Sequence, residues 1–164
     1  IFKPTICAVN GPCVGYGLTA AAHCDFLIAA ESATFSYPEV KIGVPTIVGA
    51  LRLPPRIGWQ PAMELLLLGD PVDAQRAKEM GLAWKVVADD ELLAEARRLA
   101  DRLCAAAPLA QRAIKEMATR GRELPWLDAV RFGETMRKVA GATEDAREGI
   151  QAAAERRPPA WQGR

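Results

Sequence analysis

The first forty residues alternate between apolar runs and glycine-rich breaks, and this alternation most restricts what the chain can fold into. One strand-like run covers residues 4–9, and a second covers 24–30. Between them, the loop Gly15-Tyr16-Gly17 opens a helix of small residues over 18–23. Short apolar runs bounded by turn residues are typical of buried strands, and a helix between two of them is typical of α/β proteins. The sequence therefore predicts alternating strands and helices over residues 1 to about 45.

Beyond residue 45 the pattern becomes helical. The predicted elements are a helix over 46–57 interrupted at Pro54-Pro55, a helix over 61–68 ending at Gly69, a helix capped by Asp73, a short strand over 84–87, and helices beginning near Asp90, Pro108, Pro125 and Thr143. We predict an α/β core over residues 1–88 and a helical region over 89–164, with a loose tail from Arg156. The helix after Pro125 has a broad apolar arc, which either closes over the chain's own core or meets another subunit.

Composition excludes several classes of protein. The 164 residues carry a formal net charge of +1, half are hydrophobic and a quarter are charged. This balance gives no reason to expect nucleic acid or an anionic membrane as a partner, and no apolar run is long enough to span a bilayer. Four cysteines without metal-ligand spacing predict reduced core thiols and no metal. His23, the single histidine, is interpreted as a packing residue. We therefore predict a soluble cytoplasmic protein without a catalytic Ser-His-Asp group.

Two features close together in sequence suggest chemistry on a carbonyl group. Gly15, Tyr16 and Gly17 precede a helix N-terminus, where backbone N–H groups can face a developing negative charge. Glu39, preceded by Pro38, supplies one carboxylate that can move a proton. The alternatives are a tight turn that needs glycine for its backbone angles and a surface glutamate without a function. The Asp25 side chain is expected to make a structural hydrogen bond.

Six groups of residues, in order along nearly the whole chain, resemble the signature of the enoyl-CoA hydratase/isomerase (crotonase) superfamily. They are Lys3-Pro4-x-Ile6-x-Ala8-Val9-Asn10-Gly11 with Gly15 and Gly17, Cys24-Asp25, Phe35-x-x-Pro38-Glu39, Arg52-Leu53-Pro54 with Gly58, the run from Glu64-Leu65 to Val86-Val87, and Glu148-Gly149 through Trp161. Matches in this number and order are far more specific than a single glycine motif.

The resemblance implies a crotonase-like ββα spiral that is partial here, because family members carry further βα units before this point. It implies a C-terminal helical region that assembles trimers or hexamers, an acyl-CoA substrate, and no cofactor other than the CoA of that substrate. It assigns the Tyr16 N–H as an oxyanion donor, Glu39 as the acid/base, and Gly15, Gly17, Thr19 and Pro38 as substrate-binding. Because the family's other oxyanion donor lies outside residues 1–164, we expect this stretch alone to be inactive.

Two positions depart from the family pattern. Thr19 stands where the family's hydratases usually carry a second glutamate, and threonine is not a general base near neutral pH. A single carboxylate suits a proton shuttle between Cα and Cγ better than efficient hydration, so Thr19→Glu is expected to favour hydration. The segment after Glu39 is one residue shorter and has fewer glycines, so Thr46, Ile47 and Val48 are expected to form a narrower, apolar pocket floor.

The sequence predicts a thioester-processing enzyme of the enoyl-CoA hydratase/isomerase type. The alternatives are a non-catalytic crotonase-like paralogue that serves as a scaffold and a thioester hydrolase or dehalogenase on the same fold. A scaffold would show no turnover that depends on Glu39. The acyl group, the reaction subclass and the pathway do not follow from these residues.

Overall fold

Two small three-stranded sheets form the framework of the first hundred residues in the computed structural model, which describes all 164 residues. The strands are β1 (Ile6–Val9), β2 (Pro12–Val14), β3 (Phe26–Ala30), β4 (Thr34–Ser36), β5 (Val72–Asp73) and β6 (Lys85–Val87). The first sheet has the order β1-β3-β6 and is parallel throughout. The second has the order β2-β4-β5, with β4 parallel to β2 and antiparallel to β5. The predicted α/β character is confirmed. Strand β2 was not predicted, because its three residues begin with proline and are too few to show the alternation of apolar and polar residues that is typical of a strand.

Eight α-helices complete the chain. They are α1 (Tyr16–Ala22), α2 (Ile47–Ile57), α3 (Trp59–Met63), α4 (Ala74–Glu79), α5 (Leu92–Cys104), α6 (Pro108–Arg120), α7 (Trp126–Gly141) and α8 (Glu144–Glu155). A 3₁₀ helix covers Pro38–Ile42, and a π-helical turn over Glu64–Leu68 follows α3. The predicted interruption at Pro54 and Pro55 is wrong, because both prolines lie inside α2. An interior proline removes its own N–H donor and crowds the carbonyl group four residues before it, yet α2 continues to Ile57, and Gly58 follows it.

Several predicted helix ends are confirmed by their hydrogen bonds. Asp73 caps α4, with its side chain accepting from the Arg76 N–H at 2.7 Å. Thr143 caps α8, with Oγ1 accepting from the Ala146 N–H at 3.1 Å. Gly69 follows the π-helical turn in the left-handed conformation with φ 66°. The side chains of Asp73 and Thr143 thus satisfy N–H groups that the first turn of a helix leaves open.

Residue contacts divide the chain into one unit of residues 5–99 and another of 1–4 with 100–164. The predicted domain division, by contrast, lies between residues 88 and 89. In the unit of residues 5–99, the core consists of side chains from both sheets, from α1 to α4 and from the π-helical turn. Its fully buried members include Leu18, Leu27, Phe35, Tyr37, Leu53, Leu65 and Leu82.

Helices α6, α7 and α8 belong to the other unit, and several large apolar residues of α7 are exposed. Of the residues in the predicted apolar arc, Trp126, Val130 and Val139 are exposed, whereas Phe132 and Met136 are half-buried. Closure over the chain's own core and contact with another subunit both stay predictions. All four cysteines are free thiols, and Cys104 is exposed rather than in the core. None of the eight helices combines the length and the apolar character that a membrane span needs.

The prediction of a loose tail after Arg156 is wrong. Asp145 on α8 is 2 % exposed, and its carboxylate accepts from the N–H groups of Gln162 at 2.7 Å and Gly163 at 2.9 Å. Trp161 donates from Nε1 to the carbonyl oxygen of Ala105 at 2.9 Å. The polar tail is ordered because its backbone donors find buried or partly buried acceptors.

Glu148, also on α8, makes three further hydrogen bonds with the tail. Arg157 donates to both of its carboxylate oxygens, at 2.6 and 2.9 Å, and the Ala160 N–H donates at 2.7 Å. The hydrogen bonds from Arg157 and then Ala160 lower the pKa of Glu148 from 4.5 to about 2. One residue further, a Cβ atom at Gly149 would lie 3.1 Å from the Trp161 ring.

Because the pKa of Glu148 is lower in the folded protein, its contribution to stability is present above the ordinary pKa and is lost as the pH falls. We expect Glu148→Gln to lower the urea midpoint of unfolding near pH 7. The difference from wild type should shrink as the pH falls from about 4.5 towards about 2. Asp128→Asn, at an exposed pair with 3.6 Å between Arg131 Nη1 and Asp128 Oδ1, is the control and should have little effect. If the difference in urea midpoint between Glu148→Gln and wild type stays constant with pH, the stabilising role assigned to the ionised Glu148 is contradicted.

Candidate functional site

The parallel pairing of β2 with β4 brings the two predicted functional segments to one place. In this register Val14 lies opposite Ser36, and the Gly15 N–H donates to the Ser36 carbonyl oxygen at 3.0 Å. Gly15 follows β2 directly and Tyr37 follows β4 directly. Parallel strands end at the same edge of a sheet. The glycine loop and the segment that carries Glu39 therefore leave that edge side by side.

Gly15 occupies a position that only glycine fits well. Its φ of 55° and ψ of −119° lie in a region that residues with a Cβ rarely adopt. A Cβ atom here would also overlap Oε1 of Glu39 and would lie 3.3 Å from the Glu39 Cδ. The absence of a side chain lets the carboxylate approach the backbone at the start of α1.

Tyr16 is the first residue of α1, and its side chain is 84 % exposed. The Thr19 N–H donates to the Gly15 carbonyl oxygen at 3.0 Å, which closes the first helical turn. No side chain caps this end of the helix. The N–H groups of Tyr16, Gly17 and Leu18 precede the first intrahelical bond, so they have no acceptor within the helix. The predicted oxyanion role needs only the Tyr16 N–H, and this geometry is compatible with it.

Glu39 lies in the first turn of the 3₁₀ helix Pro38–Ile42, with Pro38 at its start. The residue is half-buried, and its Oε2 atom is buried without a hydrogen-bond partner. Burying a carboxylate oxygen without a donor is unfavourable, and such groups are uncommon in native proteins. This oxygen is thus available to a proton donor that the protein itself does not supply.

Thr19 and Tyr37 form a contact that the sequence did not predict. Thr19 is 8 % exposed and Tyr37 is 1 % exposed, and their hydroxyl oxygens are 3.0 Å apart. Burial raises the pKa of Tyr37, the hydrogen bond with Thr19 lowers it, and the negative charge of Glu39 raises it, with a net rise. Both hydroxyls are therefore neutral near neutral pH. The Thr19 hydroxyl contacts Tyr37 rather than standing free, and its predicted substrate-binding role stays a prediction.

The remaining candidates have local structural contacts. His23 places Nδ1 2.7 Å from the Thr19 carbonyl oxygen at the end of α1. Asp25 accepts at Oδ2 from the backbone N–H and the hydroxyl of Thr5, at 2.7 and 2.9 Å, as its structural interpretation predicts. A Cβ atom at Gly17 would meet no atom within 4 Å, so packing does not require glycine there. Ile47 and Val48, predicted to form a pocket floor, are exposed.

Sequence reasoning placed Tyr37 only among the apolar surroundings of Glu39 and missed the contact of its hydroxyl with Thr19. The available signal was a tyrosine next to the proposed acid/base and a threonine at the position that departs from the family pattern. The sequence does not show that these two residues are in contact, because 18 positions separate them. No group of three or more His, Cys, Asp or Glu side chains lies close enough together to hold a metal ion.

Comparisons with known proteins give consistent results. A family model described as enoyl-CoA hydratase/isomerase matches residues 1–164. A Dictyostelium discoideum protein named "Probable enoyl-CoA hydratase, mitochondrial" is 40% identical over 162 residues, which cover 98% of this chain and 58% of that protein. Carnitinyl-CoA dehydratase of Salmonella typhi is 39% identical over 167 residues, covering 99% of this chain and 64% of that protein.

Solved structures resemble the chain over nearly its whole length. The enoyl-CoA hydratase of Mycobacterium tuberculosis H37Rv matches with a TM-score of 0.95 and 37% identity, covering 99% of this chain and 65% of that one. The enoyl-CoA hydratase of Bacillus anthracis matches with a TM-score of 0.95 and 34% identity, covering 99% and 64%. The chain spans about three fifths of the length of the curated relatives it matches.

Proposed function

Since this chain belongs to the enoyl-CoA hydratase/isomerase family, we propose that the intact protein processes an acyl-CoA thioester through an enolate. In this proposal the Tyr16 N–H donates to the thioester oxygen as negative charge develops there. Glu39 removes a proton from Cα, whose acidity increases once the oxyanion is stabilised. CoA enters as part of the substrate, and no further cofactor takes part.

The observation that carries the proposal is the buried Oε2 of Glu39, which has no hydrogen-bond partner. It belongs to the carboxylate that packs against Gly15, directly before the first N–H of α1. A base and an oxyanion donor that act on one thioester have to be near neighbours, as Glu39 and the start of α1 are. The reason is that the Cα proton and the carbonyl oxygen of a thioester are only a few bonds apart. A scaffold without catalysis would gain nothing from an unpaired buried carboxylate oxygen, which is costly to stability.

We propose further that proton transfer is favoured over the addition of water. Glu39 would take a proton from Cα of a 3-enoyl thioester and return it to Cγ, which moves the double bond to the 2-position. Position 19 supplies a buried threonine, and its hydroxyl is 3.0 Å from another neutral hydroxyl rather than from a second base. The relatives described above are named for hydration and dehydration, so the reaction subclass needs a direct test.

The exposed apolar residues of α7 support a homo-oligomer, which the family resemblance also implies. Trp126, Leu127 and Val130 lie on one side of the helix, and an identical subunit would remove them from water. A trimer or hexamer remains a proposal. The cytoplasmic location also stays a prediction, and one relative carries "mitochondrial" in its name.

The proposal predicts the relative rates of two reactions in the intact protein. We expect it to exchange substrate α-protons with deuterium in the solvent and to convert 3-enoyl into 2-enoyl thioesters. Hydration of a 2-enoyl thioester should be slower than isomerisation, because a second base opposite Glu39 is not supplied by position 19. NMR of the exchange and absorbance of the conjugated thioester measure the two rates. Efficient hydration of crotonyl-CoA, without faster isomerisation, would contradict the single-carboxylate proposal.

A further inference from the structure

We propose that the hydroxyl pair of Thr19 and Tyr37 is a positioning device, which holds Glu39 at a fixed place relative to the start of α1. The inference rests on the proposed function, because it assigns to both residues a role in the placement of the acid/base. This role does not require either hydroxyl to contact the substrate, so it is separate from the substrate-binding role predicted for Thr19. Both act through the groups that they hold.

The ring of Tyr37 is held firmly in the core. The residue is 1 % exposed, and a Cβ atom at Gly49 in α2 would lie 2.8 Å from its Cζ and 3.0 Å from its hydroxyl oxygen. The ring therefore packs directly on the α2 backbone. A Cβ atom at Gly69 would similarly lie 3.1 Å from the Tyr37 carbonyl oxygen. Both the ring and the backbone of Tyr37 are enclosed. Because Tyr37 lies two residues before Glu39, the chain that leads into Glu39 is held in a fixed position.

Thr19 supplies the link to α1. It lies one helical turn after Gly15, and its N–H donates to the Gly15 carbonyl oxygen at 3.0 Å. Its hydroxyl oxygen lies 3.0 Å from that of Tyr37. This hydrogen bond joins the helix that begins with Tyr16 to the segment that carries Glu39. It connects the proposed oxyanion donor and the proposed base by a path separate from the β2–β4 pairing.

The pair has a chemical property that suits this role. The negative charge of Glu39 and the burial of the ring both favour the neutral phenol. The pair consequently adds no second charge beside Glu39, as a carboxylate at position 19 would. Near-attack geometry depends on displacements of an ångström or less. Loss of the hydrogen bond should thus affect the chemical step more than the binding of the thioester.

The test removes each hydroxyl without removing the side chain that packs around it. We expect Tyr37→Phe and Thr19→Val each to lower kcat for isomerisation about ten-fold, with KM changed less than about two-fold. The double variant should be no slower than either single variant, because both changes break the same bond. Thr19→Ser keeps the hydroxyl and should retain kcat within about two-fold of wild type.

Two further variants make the outcomes distinguishable. Thr119→Val removes a helical hydroxyl that donates to the Lys115 carbonyl oxygen at 2.8 Å in the other unit, and kcat should not change. Glu39→Gln measures how much turnover depends on the acid/base. Turnover independent of Glu39 would overturn the proposed function itself. Two results would overturn the positioning role alone, provided that turnover still depends on Glu39. In the first, Tyr37→Phe and Thr19→Val have the wild-type kcat. In the second, the losses of kcat in the two single variants multiply in the double variant.

A merely structural role predicts a different result. In that case Tyr37→Phe and Thr19→Val would lower the midpoint of thermal unfolding while kcat of the folded fraction, measured by active-site titration, stayed at the wild-type value. If Tyr37→Phe does not fold, the comparison of Thr19→Ser with Thr19→Val still decides. Equal kcat for these two variants would overturn the proposal.

Discussion

Replacing Glu39 with glutamine in the intact protein is expected to lower kcat by about 10²–10⁴-fold, while KM for the thioester changes little. The amide has nearly the shape of the carboxylate, but it cannot accept the Cα proton. The substitution also removes a negative charge from a half-buried site in which one carboxylate oxygen has no hydrogen-bond partner. We therefore expect the variant to fold with at least wild-type stability. Steady-state isomerisation and α-proton exchange measure the loss.

Glu79→Gln is the matched control for this substitution. Glu79 is exposed and accepts from Arg76 at 3.4 Å in the same unit of the chain. The control should keep kcat, because it changes the same functional group away from the site. If Glu39→Gln retained the wild-type kcat, the acid/base assignment would fail and the scaffold alternative would gain support.

Gly15→Ala is expected to have the second largest effect, on both stability and turnover. Its backbone has φ 55°, where a Cβ costs about 1–3 kcal/mol. The new methyl group would also overlap Oε1 of Glu39, so the carboxylate has to move. Because a misplacement of about 1 Å can cost 10²-fold in rate, we expect kcat to fall by about that factor. Urea unfolding and isomerisation kinetics measure the two effects.

Gly11→Ala provides the control, since a Cβ there would meet no atom within 4 Å and its φ is not positive. The combination of Gly15→Ala with Glu39→Gln separates the two causes. If Gly15→Ala acts by moving the carboxylate, the double variant should turn over no more slowly than Glu39→Gln alone. A double variant that loses a further 10²-fold would show that Gly15 affects catalysis through something other than Glu39.

Local signals were sufficient to predict much of the fold. Asp73 and Thr143 cap helices through contacts three residues away, and Gly69 ends a helix through its own backbone angles. Each of these features depends on a few neighbouring residues, which the sequence displays directly. The strands β1 and β3 on either side of α1 are likewise visible as apolar runs in the sequence.

Features that depend on distant residues were not predicted. The contact between Thr19 and Tyr37 joins residues 18 positions apart, and Asp145 binds backbone groups 17 and 18 positions away. A polar tail is not distinguishable from a loose one until its acceptors are known. The continuity of α2 through Pro54 and Pro55 likewise depends on its packing, with Leu53 and Ile57 in the core. Tertiary contacts outweigh local propensity at these positions.

The enclosed contact between Thr19 and Tyr37 has a consequence for redesign and for divergence within the family. Thr19→Glu alone would place a longer, charged side chain against a phenol that the α2 backbone already confines at Gly49. We therefore expect the gain in hydration from Thr19→Glu to be smaller than position 19 alone would give, because the new side chain has to displace the Tyr37 ring. A smaller residue at position 37 should increase that gain. Substitutions that introduce a second carboxylate at position 19 are thus expected to depend on the residue at position 37.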